Sequence, residues 1–150
     1  MAREKHLEEL LFSHPYLIDE EFAGLVPQRQ VRKGRNRLDL LFDLGGQEGV
    51  CIVELKKAAL TIGGLRQLLN YCRGWGDNGG TTLASHHYLI GKRPPDDRLL
   101  RQEAAESGFD IRIRYIGEHI PLQLAWDAAA RRYRSIDEGC EAMGYFELKL

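Results

Sequence analysis

Asp39, Glu54 and Lys56 are the residues whose types and spacing can do chemistry together. The stretch Val50–Lys57, VCIVELKK, opens with four consecutive apolar residues, rich in β-branched types, and reads as a buried strand covered on both faces. Side chains alternate along a strand, so Ile52, Glu54 and Lys56 share one face while Cys51, Val53 and Leu55 share the other. A carboxylate and an ammonium thus stand side by side at the strand's end. Taking such ions out of water is costly, so they pair with each other or hold a metal or an anion. An ion pair at a frayed strand end is the ordinary outcome. The surrounding sequence points further, because Asp39 lies fifteen residues before Glu54, on a predicted strand that reaches it through a Gly45-Gly46 turn. Antiparallel neighbours can hold both carboxylates within reach of one cation. Two carboxylates, the main-chain carbonyl of Leu55 and several waters make the oxygen shell that Mg2+ takes, with Mn2+ as a substitute. Such a metal lowers the pKa of a bound water and stabilises charge on a phosphoryl oxygen, while Lys56 positions or deprotonates the nucleophile.

The elements that must position these residues follow from periodicity. Residues 3–13 carry Leu7, Leu10 and Leu11 on one stripe, predicting an amphipathic helix, and Pro15 ends it or begins a shorter helix through Ile18 to Phe22. LVPQRQVRK, Leu25 to Lys33, reads as an edge strand that tolerates Pro27. LDLLFDL follows from Leu38, with Asp39 and Leu41 on one face and Leu38, Leu40 and Phe42 on the other. With VCIVELKK these make a three-strand meander. Thr61 caps a helix whose positions Ile62, Leu65, Leu68, Leu69 and Cys72 follow the 3.6 period to about Trp75. After the GDNGG break come a strand from His86 to Ile90, a helix from Asp96 to Glu106 closed by Gly108, and the alternating strand FDIRIRYI with Phe109, Ile111, Ile113 and Tyr115 on one face. HIPLQLAWDAAARRYRSI fits either a strand then a helix or a hairpin turning near Asp127. The structure of residues 119–150 is left open on that account. The expected class is α/β, a mixed central β-sheet flanked by α-helices, as a single domain over residues 1–150.

Composition narrows the partners. The chain has 43% hydrophobic residues, enough for a full core, and its 21 Lys and Arg nearly balance 22 Asp and Glu, so any surface for nucleic acid must be local. The start, MAREKHLEELL, lacks the apolar core of a signal peptide, and no run approaches the roughly 20 apolar residues that span a bilayer. A cytoplasmic location without membrane contact is expected. Cys51, Cys72 and Cys140 are odd in number and show no CxxC spacing, which argues against a disulfide framework or a zinc site. His86 and His87 are adjacent, so they point to opposite faces of a strand and make a poor joint metal site.

An Asp, a turn and then ELK at a strand end resemble the PD-(D/E)XK nuclease superfamily. EKHLEELLFSHPYLI is similar to the opening helix of the nuclease domain in NucS/EndoMS-type endonucleases, GRNRLDLLF to their GR-x-D-LL strand, and RQLLNY to their QL-x-x-Y helix. The resemblance covers residues from about 3 to 76. It implies a restriction-endonuclease-like core, magnesium-dependent hydrolysis of DNA, and a catalytic set of Asp39, Glu54 and Lys56 supported by Gln67 and an N-terminal glutamate. Leu38 stands where the superfamily's name has Pro, and Asn36 and Arg37 separate GR from LD. NucS enzymes carry a separate DNA-binding domain before the nuclease, for which this chain has no room, so their mismatch specificity is not carried over. Of the N-terminal glutamates, Glu4 lies nearer than Glu8 to the Leu7/Leu10/Leu11 stripe and is the expected one. Gln67 and Tyr71 are four apart and share a helix face. There Gln67 can orient water or phosphate, while Tyr71 is a DNA contact or a packing residue.

QRQVRKGRNR, Gln28 to Arg37, holds five basic residues and no acidic one. Arg29, Arg32, Lys33, Arg35 and Arg37 are therefore the expected phosphate contacts, supplying affinity without reading sequence. Arg131, Arg132 and Arg134 form a second basic cluster. A dimeric resolvase of branched DNA shares this fold and site, so a homodimer is allowed. Also allowed are a separate DNA-recognition or repair protein as partner, and a silent nuclease-like module that only binds DNA or protein.

Overall fold

Buried apolar runs want cover on both faces, and the segment from Val50 receives it. The computed structural model describes residues 2–33, 36–75, 82–121, 123–135 and 145–147, with residues 2–5, 33, 36 and 145–147 described by backbone alone. Glu4 and Lys33 are among the latter, and Arg35, Cys140 and the GDNGG break lie outside the described residues. In chain order the elements are α1 (Ala2–Ser13), β1 (Gln28–Lys33), β2 (Asn36–Asp43), β3 (Val50–Ala59), α2 (Ile62–Arg73), β4 (His86–Lys92), α3 (Arg98–Glu106), β5 (Asp110–Tyr115), β6 (Gln123–Asp127), β7 (Arg132–Ser135) and β8 (Tyr145–Glu147). Strands β1 to β5 form one sheet in sequence order, antiparallel from β1 to β3 and parallel from β3 to β5. The chain is therefore α/β with a mixed five-stranded sheet, as expected.

The two faces bury separate clusters. Leu7, Leu10 and Leu11 of α1 pack on Cys51, Val53 and Leu55, while Leu65, Leu68 and Leu69 of α2 and Leu100 of α3 pack on Ile52, Leu41, Leu89 and Ile113. Both crossovers run in the same direction along the sheet, so right-handed connection places α2 and α3 on one face together. Thr61 caps α2 through its hydroxyl, which accepts from Gly64 N–H at 3.0 Å. The shorter helix expected from Pro15 through Ile18 to Phe22 is instead two 3-10 turns, Pro15–Leu17 and Glu20–Phe22. They are separated by Asp19, which is extended (φ −161°) and caps the second turn from its side chain.

The open question in the C-terminal third resolves as a hairpin. β6 pairs with β7 and with β8 in a second, antiparallel sheet. Asp127 accepts from the N–H groups of Ala129 and Ala130, each at 3.0 Å, and Arg131 takes φ 56° to close the turn. Leu124 joins the α1-side cluster, and Tyr133 N–H donates to Tyr16 Oη at 2.7 Å. Arg132 pairs with Glu20 and Arg134 with Asp127, so these two members of the second basic cluster serve intramolecular contacts.

One expectation about facing fails. Leu38 packs in the α2-side cluster, whereas Leu40 and Phe42 pack on the α1 side. Strict alternation would keep all three together. The cause lies across the ladder. Arg29 pairs with Leu40 and Val31 with Leu38, and Gln30 between them has φ 55°, outside the extended region. Past that point the phase of both strands inverts.

His87 is buried on β4, its Nδ1 accepting from Ile52 N–H at 3.0 Å and its Nε2–H facing the Ala84 carbonyl at 2.9 Å. Burial pushes its pKa down to about 4. The unfolded imidazole titrates near about 6.5, so between these values the unfolded chain binds a proton that the native chain refuses. The linked stability is complete above the unfolded value and drains away as pH falls towards 4, by roughly 3 kcal/mol across the window. Urea melts at pH 7.5 and 4.5 are expected to show this loss, and His87→Gln should diminish it. The same pH dependence in both proteins contradicts the assignment.

Candidate active site

The site forms where the sheet splits. Pairing between β2 and β3 ends at Leu40↔Val53, while β2 continues along β1 as far as Asn36 and β3 runs on to Ala59. Side chains take over where the ladder stops. Asp39 Oδ2 accepts from Leu55 N–H at 2.8 Å, and Asp39 N–H points at Glu54 Oε1 at 3.4 Å. Each carboxylate is thereby tethered to the other strand's backbone, and the two are held as neighbours. Glu54 is 2% exposed and Asp39 half-buried.

Just beyond, β3 shifts register against β4, from Leu55↔Ile90 to Ala59↔Lys92. A bulge of this kind re-aims side chains. Lys56 is carried towards α2, where a Cβ built on Gly64 would lie 3.7 Å from Lys56 Cε. Lys56 Nζ donates to Gln67 Oε1 at 3.1 Å, and Gln67 Nε2 donates to Tyr71 Oη at 2.8 Å. Lys56, Gln67 and Tyr71 thus form a chain in which each side chain orients the one before it. Tyr71 is buried in the α2-side cluster. Desolvation raises the pKa of its phenol, with the Glu54 carboxylate adding to the shift, and burial pushes the Cys72 thiol on the same helix up to about 12.

Because the sheet is split here, helices on opposite faces reach one cavity. Its volume is about 550 Å3, and it is lined by Glu8, Gln30, Arg37, Asp39, Glu54, Leu55, Lys56 and Gln67. The expected Asp39, Glu54, Leu55, Lys56 and Gln67 therefore share one space. Among the described side chains, the glutamate that α1 brings to it is Glu8; the side chain of the favoured Glu4 lies outside the described residues. Glu8 is 6% exposed, accepts from Arg29 Nη2 at 2.8 Å, and also accepts from Gln30 Nε2. Arg29 lies with its guanidinium 4.8 Å from the Phe12 ring centre, so it is engaged with α1 instead of standing free for phosphate. Arg32 and Arg37 are exposed and directly opposite each other in the β1–β2 ladder. Like charges in that relation repel, an arrangement that an anion between them relieves. Gln30 is the cavity residue that sequence reasoning missed, since nothing in QRQVRK signals a left-handed glutamine.

Among the described residues no group of three or more His, Cys, Asp and Glu side chains is placed to hold a metal ion together. The donors that the split offers are the carboxylates of Asp39 and Glu54 beside the Leu55 main chain. That suits a hard cation that keeps much of its water, and does not suit zinc. Among the described residues no helix is long and apolar enough to cross a membrane.

No family model matches this chain, and no curated protein matches it. Among solved structures it is similar to Pyrococcus furiosus SfsA, whose structure is described as a complex with Ca2+, at 22% identity and a TM-score of 0.43. That match covers 73% of this chain and 56% of the SfsA chain, a likeness too slight to bear on the site.

Proposed function

We propose that this chain is a PD-(D/E)XK-type endonuclease that hydrolyses DNA phosphodiester bonds with Mg2+. The observation that carries the reading is the meeting of Asp39, Glu54 and Lys56 at the split between β2 and β3, in one cavity with Gln67 from α2 and Glu8 from α1. Asp39, Glu54 and the Leu55 carbonyl would hold the cation. When bound, it supplies an activated water and withdraws charge from a phosphoryl oxygen. The remaining tasks fall to the chain itself. Lys56, steadied by Gln67, faces the phosphate and offsets the charge that grows on it. Arg32 and Arg37 flank the cavity as phosphate contacts that position the backbone of the duplex. Both carboxylates are held in place by their tethers to the opposite strand's backbone, so little reorganisation is needed at the moment of reaction.

The test is incubation of purified protein with duplex DNA in Mg2+ or Mn2+, and again with EDTA. Cleavage with either metal and none with EDTA is expected. Intact DNA under both metals, on linear and branched duplexes alike, overturns the reading.

A further inference from the structure

Consecutive residues of an extended strand point to opposite faces, yet Arg29 and Gln30 both donate to the Glu8 carboxylate. The pleat is broken at Gln30, whose φ of 55° lies in the left-handed region. Register with β2 is unbroken on both sides of it, Arg29↔Leu40 before and Val31↔Leu38 after, which sets Gln30 opposite Asp39. A residue with a long side chain rarely adopts this conformation, and such outliers gather at functional sites. Here the outlier lines the cavity with Asp39, Glu54 and Lys56.

We propose that Gln30 is a positioning residue of the site: its left-handed backbone aims the carboxamide into the cavity, where it holds Glu8 at the wall of the space shared with Asp39 and Glu54. The inference rests on the nuclease reading. Glu8 arrives from a helix on the far side of the sheet and cannot be fixed by β2 or β3 through the ladder. Gripped by Arg29 on one oxygen and Gln30 on the other, it keeps its remaining lone pairs for a donor that enters the cavity. Each oxygen of an ionised carboxylate has room for a second donor.

The competing explanation is that the left-handed turn serves only the core, by swinging Val31 and Leu38 to the α2 side. Gln30→Gly separates the two. Glycine adopts φ 55° without a Cβ, so the turn and the core survive while the carboxamide is lost. Three quantities are measured for wild type, Gln30→Gly and Gln30→Asn: Tm, duplex affinity in Ca2+, and kcat in Mg2+. Asn tolerates the left-handed region but is one methylene short of Glu8. Expected are a Tm for Gln30→Gly no lower than a few degrees below wild type, affinity within a few-fold, and a kcat lowered by about 10- to 100-fold in both variants, the loss usual for an orienting partner. Wild-type kcat in Gln30→Gly overturns the proposal, leaving the turn as a core device. A marked fall in its Tm overturns it also, since the side chain would then hold the fold. A wild-type protein that cleaves nothing sinks the nuclease reading itself, a different result from cleavage that is indifferent to Gln30.

Discussion

Glu54→Gln is expected to abolish metal-dependent cleavage, with a rate loss on the order of 10³-fold or more, in a protein that remains folded. Glu54 is 2% exposed and faces the cavity beside Asp39. Gln keeps its volume and one acceptor oxygen towards Asp39 N–H, so the split between the strands survives, but it removes one of the two carboxylate charges proposed to hold the cation. Stability should change little, because a buried carboxylate without its cation is itself unfavourable. Single-turnover cleavage beside a urea melt checks both halves. A folded Glu54→Gln protein with wild-type cleavage rules the mechanism out.

Lys56→Met is expected to lower turnover by about 100-fold while duplex affinity in Ca2+ stays within a few-fold of wild type. Met keeps most of the stem that runs over Gly64 and deletes the ammonium that donates to Gln67. A charge needed only in the transition state shows its loss in kcat, whereas a phosphate anchor shows it in binding. Gel-shift titration in Ca2+ and single-turnover rates in Mg2+ separate these. Equal losses in both make Lys56 an anchor.

That Asp39 and Glu54 come together was legible because the glycine turn folds β2 back on β3, although alternation fails on β2 beside Asp39 and a bulge re-aims Lys56 on β3. The helices were legible from a local rule, since Leu65, Leu68, Leu69 and Cys72 repeat at 3.6 and all four are buried. What escaped depends on tertiary placement. The stripe on α1 specifies an angle around the helix axis but not how far along that axis the cavity lies, so it does not single out Glu8, which lines the cavity among the described side chains. Arg29 belonged to a basic run, but a run does not reveal that one member turns inward to a buried acid. Leu38 was placed on the wrong face because Gln30, three residues before the end of β1, inverts the pleat with a side chain that rarely does so. The hairpin after Ile120 was ambiguous because Ala128, Ala129 and Ala130 favour helix, and the Asp127 side chain overrides them by bonding the turn.

Convergence of Asp39 and Glu54 on one cation is the claim from which the rest follows, and anomalous diffraction at the manganese edge from Mn2+-soaked crystals tests it most directly. The account predicts a single strong peak in the split between β2 and β3, within coordinating distance of both carboxylates, and no peak there in Glu54→Gln crystals. A wild-type map without a peak at that position under saturating Mn2+, or a peak bound elsewhere and unaffected by Glu54→Gln, contradicts it.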